Sequence, residues 1–139
     1  MFNFLRPKAQ TPTPPLAEII AGVAEGRIAL VDVREMAEVR ASGKARGAVV
    51  IPLGLLALKA DPKAPDALLA PGRPVAVYCA SGGRSGRAAQ VLRQMGYETV
   101  WNIGGLGDWQ AGGGQVERAL RRRARRPGEA VPPKANTGG

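Results

Sequence analysis

Three features of the sequence predict an α/β fold: an open, mostly parallel β-sheet flanked by helices on both faces. Short apolar runs such as "IALVDV" and "PVAVYC" are continuous rather than alternating, which suits strands covered on both sides. The segments between them place apolar residues at helical spacing. Strand and helix patterns then alternate along the chain, as β-α-β units require.

Taken in order, residues 1–13 run into "TPTPP" and read as a flexible linker. Phe2, Phe4 and Leu5 are too short an apolar stretch for a signal peptide, and a frayed end is the simplest reading. In "PLAEIIAGVAEG", Leu16, Ile19, Ile20 and Val23 share one helical face, Pro15 suits the first turn and Gly26 closes the helix. "RIALVDVRE" is a strand, "MAEVRASG" a short helix ending at Gly43, and "GAVVIP" a second buried strand stopped by Pro52. "LGLLALKADPKAPDALLAPG" reads as helix and loop, and "PVAVYC" as a third strand. "SGRAAQVLRQMGYE" is a helix starting near Ser85, with Ala88, Val91, Leu92 and Met95 on one face and Gly96 as its cap. "TVWNI" is a fourth strand, and "GGLGDWQAGG" a glycine-rich turn with helical character around Trp109. These elements define one domain over residues 14–113. Residues 114–139 read as a basic, largely disordered tail in which "VERALRRRARR" forms a short helix at the domain edge.

Composition narrows the chemistry. Aromatic residues are only 4% of the 139, so the core must be built from aliphatic side chains. The net charge is +9, of which +5 lies from Gln115 onward, so the folded part is only mildly basic. The arginine run lacks interleaved aromatics for base stacking, which favours a solvated or partner-binding tail over a nucleic-acid arm. No apolar run approaches the roughly 18 residues of a membrane span. The chain has one cysteine and no histidine. An internal disulfide is excluded, as are a Cys/His zinc site and any Cys–His or Ser–His pair. A lone thiol fits a reducing compartment, so a cytoplasmic location is expected.

That cysteine lies in "VAVYCASGGRSGRAAQVL", at the carboxyl end of a strand, where open parallel sheets place their sites. Residues Cys79 to Arg84 join the strand to a helix whose first N–H groups lack partners and carry partial positive charge. Gly82 and Gly83 let successive N–H groups of Ala80, Ser81, Gly82, Gly83, Arg84 and Ser85 converge into an anion-binding nest. Cysteine pKa falls in such a nest and beside arginine. Arg84 adds a forked donor for an anion, and Ser85 is a candidate helix cap. Asp32 ends the first strand, and with Arg34 it reads as a structural ion pair or loop anchor supporting the site. The alternative is that Arg34 adds positive potential at its mouth. Trp101 and Trp109 read as packing residues.

"CASGGRSGRAA" resembles the active-site loop of the rhodanese family, roughly Cys-x-x-Gly-x-Arg-Ser. "LVDVREMAEV", "GKARGAVVIPL" and "LRQMGYETVWNIGGLGDWQAGG" resemble further segments of that family in the same order. One departure is Lys44, which stands where the family commonly has histidine. The resemblance implies a rhodanese-like domain that moves sulfane sulfur through a Cys79 persulfide. The donor would be thiosulfate or a persulfide and the acceptor a thiol, cyanide or a protein, with Arg84 holding a donor's sulfonate and neither metal nor organic cofactor required. A non-turnover persulfide carrier serving a partner protein needs the same loop. A Cys-dependent phosphatase or arsenate reductase fits less well, because its Cys-x5-Arg loop is one residue longer than the four residues between Cys79 and Arg84.

Overall fold

The computed structural model describes residues 11–118. Its strands are β1 (Ala29–Asp32), β2 (Lys44–Ala45), β3 (Val49–Val50), β4 (Val75–Cys79), β5 (Val100–Gly105) and β6 (Val116–Glu117). Its helices are α1 (Leu16–Ala24), α2 (Met36–Ser42), α3 (Leu56–Lys59), α4 (Gly83–Gln94) and α5 (Leu106–Ala111), with a 3₁₀ turn over Leu53–Leu55. The main sheet has the order β3-β1-β4-β5, with every neighbouring pair parallel. The chain passes from β1 to one side, into β3, and then to the other side, into β4. Strand order therefore reverses between β1 and β4, the place where open α/β sheets form ligand crevices.

The continuous apolar runs follow from two-sided cover. All four residues of β1 and all five of β4 are buried. Alternate side chains feed two cores. Val31, Val33, Val75, Val77 and Cys79 pack with Leu56, Ala60, Ala88, Ala89, Leu92 and Tyr97 beneath α3 and α4. Leu30, Ala76 and Tyr78 pack on the opposite face with Ile19 of α1 and Leu106 and Trp109 of α5. Each fully buried large aliphatic side chain contributes about 1.5–3 kcal/mol. The tryptophans belong to this second core, so the packing reading holds for both.

Three elements differ from expectation. "GAVVIP" yields only two strand residues, both half-buried, because β3 is the edge of the sheet and is covered less completely. Val116 and Glu117 form a strand rather than part of a helix. They pair antiparallel with Lys44 and Ala45, an ordering drawn from across the chain that a local pattern does not carry. The remainder of "VERALRRRARR" beyond Arg118 lies outside the described residues, as does most of the basic tail. Helix α4 begins at Gly83, two residues before the expected start, because Gly82 takes the N-cap position.

One polar cluster ties the second core together. Asp32 is fully buried and Arg34 is 3% exposed. The Asp32 carboxylate accepts from the Arg34 backbone N–H at 2.9 Å, from its Nε at 3.0 Å and from Nη2 at 2.7 Å. Tyr78 Oη donates to Asp32 Oδ2 at 2.6 Å and accepts the Ala45 N–H at 2.8 Å. The Arg34 guanidinium also donates to Ser42 Oγ at 2.7 Å and to the Gly43 carbonyl at 2.5 Å. Burial pushes the Tyr78 hydroxyl far above its ordinary range, so it remains a neutral donor. β1, the end of α2, β2 and β4 thus share one buried ion pair whose polar atoms are satisfied.

Breaking a buried pair leaves the other charge uncompensated. Asp32→Ala is therefore expected to cost about 3–5 kcal/mol, read as a lower urea midpoint at an unchanged slope.

Candidate active site

Strand β4 carries Cys79 to the carboxyl edge of the sheet, where its residue is 1% exposed. Ala80 and Ser81 then run over the surface, and Gly82 turns the chain into α4. Gly82 has φ of 109°, a left-handed conformation that side chains resist, and this turn aims the first helical amides back at the strand end. Gly105 of β5 lies under the loop. A Cβ there would run into the Ala80 carbonyl oxygen, so glycine is what lets β5 pass beneath.

The sulfur sits in a set of donors. Gly82 N–H lies 3.0 Å from Sγ, Ser85 N–H 3.4 Å, and Ser85 Oγ 3.4 Å. Burial pushes the thiol up, but the Ser85 hydroxyl and the N–H groups of Ser85, Gly82 and Ser81 pull it down further, to about 7. Half the population is then thiolate near neutral pH, without a basic side chain.

Ser85 is not the helix cap that its sequence position suggested. It lies inside α4, fully buried, with its hydroxyl between Sγ and β5. That hydroxyl has one proton and three acceptors: Asn102 Oδ1 at 2.7 Å, Sγ at 3.4 Å and the Gly104 carbonyl at 3.4 Å. The short bond to Asn102 holds it when the sulfur is neutral, whereas a charged sulfur attracts the same proton. Asn102 is fixed for this exchange: its Nδ2 donates to the Gly82 carbonyl at 3.0 Å and its Oδ1 accepts the Gly104 N–H at 3.0 Å. Asn102 was not singled out from sequence. Its signal is a carboxamide in the strand "TVWNI", whose other side chains are mostly apolar.

Arg84 does not lie free beside the sulfur. Its Nη1 and Nη2 donate to Glu38 Oε1 and Oε2 of α2 at 2.6 and 2.8 Å, a forked pair. The pair drops the Glu38 carboxyl to about 2, mainly through the Arg84 hydrogen bonds. Glu38 was also missed. Its one local sign is its place as the third residue of α2, where it accepts the Glu35 N–H at 3.0 Å in a capping box.

Asp32 and Arg34 lie near the site in sequence but on the opposite face of the sheet. Asp32 is in register with Tyr78, whose side chain points away from that of Cys79. Their guanidinium–carboxylate pair is the anchor described above, so Arg34 adds no exposed charge at the mouth. Lys44 pairs with Glu117 at 2.6 Å and helps hold β2 against β6. Among the described residues no group of acidic, cysteine or histidine side chains could hold a metal ion, and no helix is long and apolar enough to cross a membrane.

Residues 16–112 match the rhodanese-like domain family. A human thiosulfate:glutathione sulfurtransferase is 35% identical over 105 residues, which cover 70% of this chain and 90% of that protein. The protein YqhL of Bacillus subtilis (strain 168) is 38% identical over 89 residues, and the match spans only 63% of the length of each. Among solved structures, a human single-domain sulfurtransferase superposes with a TM-score of 0.61 at 33% identity, covering 73% of this chain and 96% of that one.

Ser85→Ala removes the hydroxyl next to Sγ and leaves the backbone donors in place. The pH midpoint of Cys79 alkylation by iodoacetamide is expected to rise from about 7. The rate at neutral pH should fall roughly threefold as the thiolate fraction drops. Gly105→Ala should disturb the loop itself and slow alkylation at every pH.

Proposed function

The chain belongs to the rhodanese-like domain family, and from that membership we propose that it is a sulfurtransferase working through a persulfide on Cys79. The observation that carries this reading is the convergence of Gly82 N–H, Ser85 N–H and Ser85 Oγ on Sγ, at 3.0, 3.4 and 3.4 Å. Donors aimed at a sulfur favour its thiolate and then the anionic persulfide it becomes, in the manner of an oxyanion hole.

The reaction runs in two displacements. In the first, the Cys79 thiolate attacks the outer sulfur of a donor such as thiosulfate. The bond between the donor's two sulfurs breaks, sulfite leaves with the electron pair, and a new S–S bond remains on Cys79. In the second, an acceptor thiolate or cyanide attacks that outer sulfur, breaks the new bond and returns the Cys79 thiolate. No general base is needed once the thiolate is preformed, which suits a chain without histidine. Residues Ala80, Ser81, Gly82, Gly83, Arg84 and Ser85 form the substrate loop, with Ser85 and Asn102 tuning the sulfur.

One observation favours a second reading, that of a persulfide carrier for a partner protein. The single cation of the loop is already bound to Glu38, so it is not standing ready for the sulfonate of a small donor. Phosphoryl transfer is less well supported, because the Arg84 guanidinium is paired with Glu38.

Thiosulfate:cyanide turnover by the full chain is expected to disappear in Cys79→Ala, and donor-treated wild type should gain the mass of one sulfur atom on Cys79. Absence of both would overturn the proposal. Sulfur on Cys79 without cyanide turnover would select the carrier, and phosphate-ester hydrolysis at comparable rates would select a phosphatase.

A further inference from the structure

The loop from Cys79 to Ser85 contains one cationic side chain, Arg84. Its guanidinium meets both oxygens of Glu38 at 2.6 and 2.8 Å, with each side chain 37% exposed. The pair therefore sits at the solvent-facing rim of the loop. Arg84 is close enough to the sulfur for the two charges to interact. Glu38 stays ionised at any pH at which the thiol titrates. Nor can it swing aside at no cost, because the same Oε1 that binds Arg84 accepts the Glu35 N–H and caps α2. The Arg84 charge is thus offset by Glu38, with Glu35 also acting on it, where the sequence alone suggests a free cation.

We propose that Glu38 is a specificity-determining residue of the sulfur site. By neutralising Arg84, it biases Cys79 against dianionic donors such as thiosulfate and toward persulfide donors with little negative charge around the reacting sulfur. This assignment of donor class rests on the sulfur-transfer reading above. Glu38 touches neither Sγ nor the reacting atoms. It acts through Arg84, and its effect depends on the charge of the reagent rather than on its reactivity.

Glu38→Gln is the variant of choice, because its one amide oxygen can still accept from the Glu35 N–H and from Arg84 Nη1 while the charge is lost. The first measurement compares alkylation of Cys79 by iodoacetate and iodoacetamide at low ionic strength, a charged and a neutral probe of one sulfur. The iodoacetate:iodoacetamide rate ratio is expected to rise about twofold in Glu38→Gln and to shrink back toward the wild-type value in high salt. The kcat/KM for thiosulfate, a dianion, is expected to rise about three- to fivefold. Arg84→Gln, which leaves Glu38 unbalanced, should lower the ratio, and this variant reads the same field if Glu38→Gln fails to fold. An unchanged or lower ratio in Glu38→Gln, or an unchanged ratio in Arg84→Gln, overturns the proposal even if Cys79 forms a persulfide. If the ratios move as expected but no variant acquires sulfur on Cys79, the sulfur-transfer reading falls and the donor assignment falls with it.

Discussion

A sulfur that is to carry charge beneath a protein surface must be met by hydrogen-bond donors, and the arrangement of this chain around Cys79 follows from that constraint. Burial alone pushes a thiol toward its neutral form. Here it is outweighed by amides at the start of α4 and by one serine hydroxyl, so that the thiol titrates at about 7. The amides face the sulfur only because a fully buried strand ends where a helix begins, with a left-handed glycine between them. The fold supplies this junction at the strand-order reversal, where no crossover connection blocks the crevice.

The loop is braced from both sides by residues far from it in sequence. From β5, Asn102 binds the Gly82 carbonyl and the Ser85 hydroxyl, and Gly105 lets the strand pass under Ala80. From α2, Glu38 holds Arg84. Helix α2 is itself held at its far end, where Ser42 and Gly43 accept from the buried Arg34. A chain of contacts therefore runs from the Asp32–Arg34 pair in one core, through α2, to the rim of the sulfur loop above the other. Asp32 and Arg34 are thus joined to the rim of the loop through this frame.

Much of this was legible in the sequence, for identifiable reasons. Strand positions were readable because β1 and β4 are covered on both faces, which forces unbroken apolar runs. Cys79 stood out because composition left no other thiol and no imidazole, and the glycines after it marked a turn into a helix. What local pattern did not carry were contacts closed by the fold. Arg84 and Glu38 lie 46 positions apart, and Ser85 and Asn102 lie 17 apart. Each of these residues has a bland local role: Glu38 as a capping residue, Ser85 as a helix cap, Arg84 as a free cation. The roles changed once their partners arrived. The same holds for Val116 and Glu117, whose sequence suits a helix but whose partner strand, β2, lies some seventy residues earlier.

The four-residue gap between Cys79 and Arg84 gains a physical meaning from these contacts. A loop built for a tetrahedral oxyanion needs its amides to converge above the sulfur, with a guanidinium closing over the top. In this chain the Gly82 and Ser85 amides point at Sγ itself, and the guanidinium turns outward to α2. These two donors are thus directed at the sulfur. A persulfide lengthens the side chain by one polarisable, anionic atom and keeps its charge near the same amides. A phosphoryl group brings three oxygens that need donors of their own, whereas the Gly82 and Ser85 amides are directed at the sulfur. On the proposed sulfur transfer, the short loop suits its cargo by where its amides point.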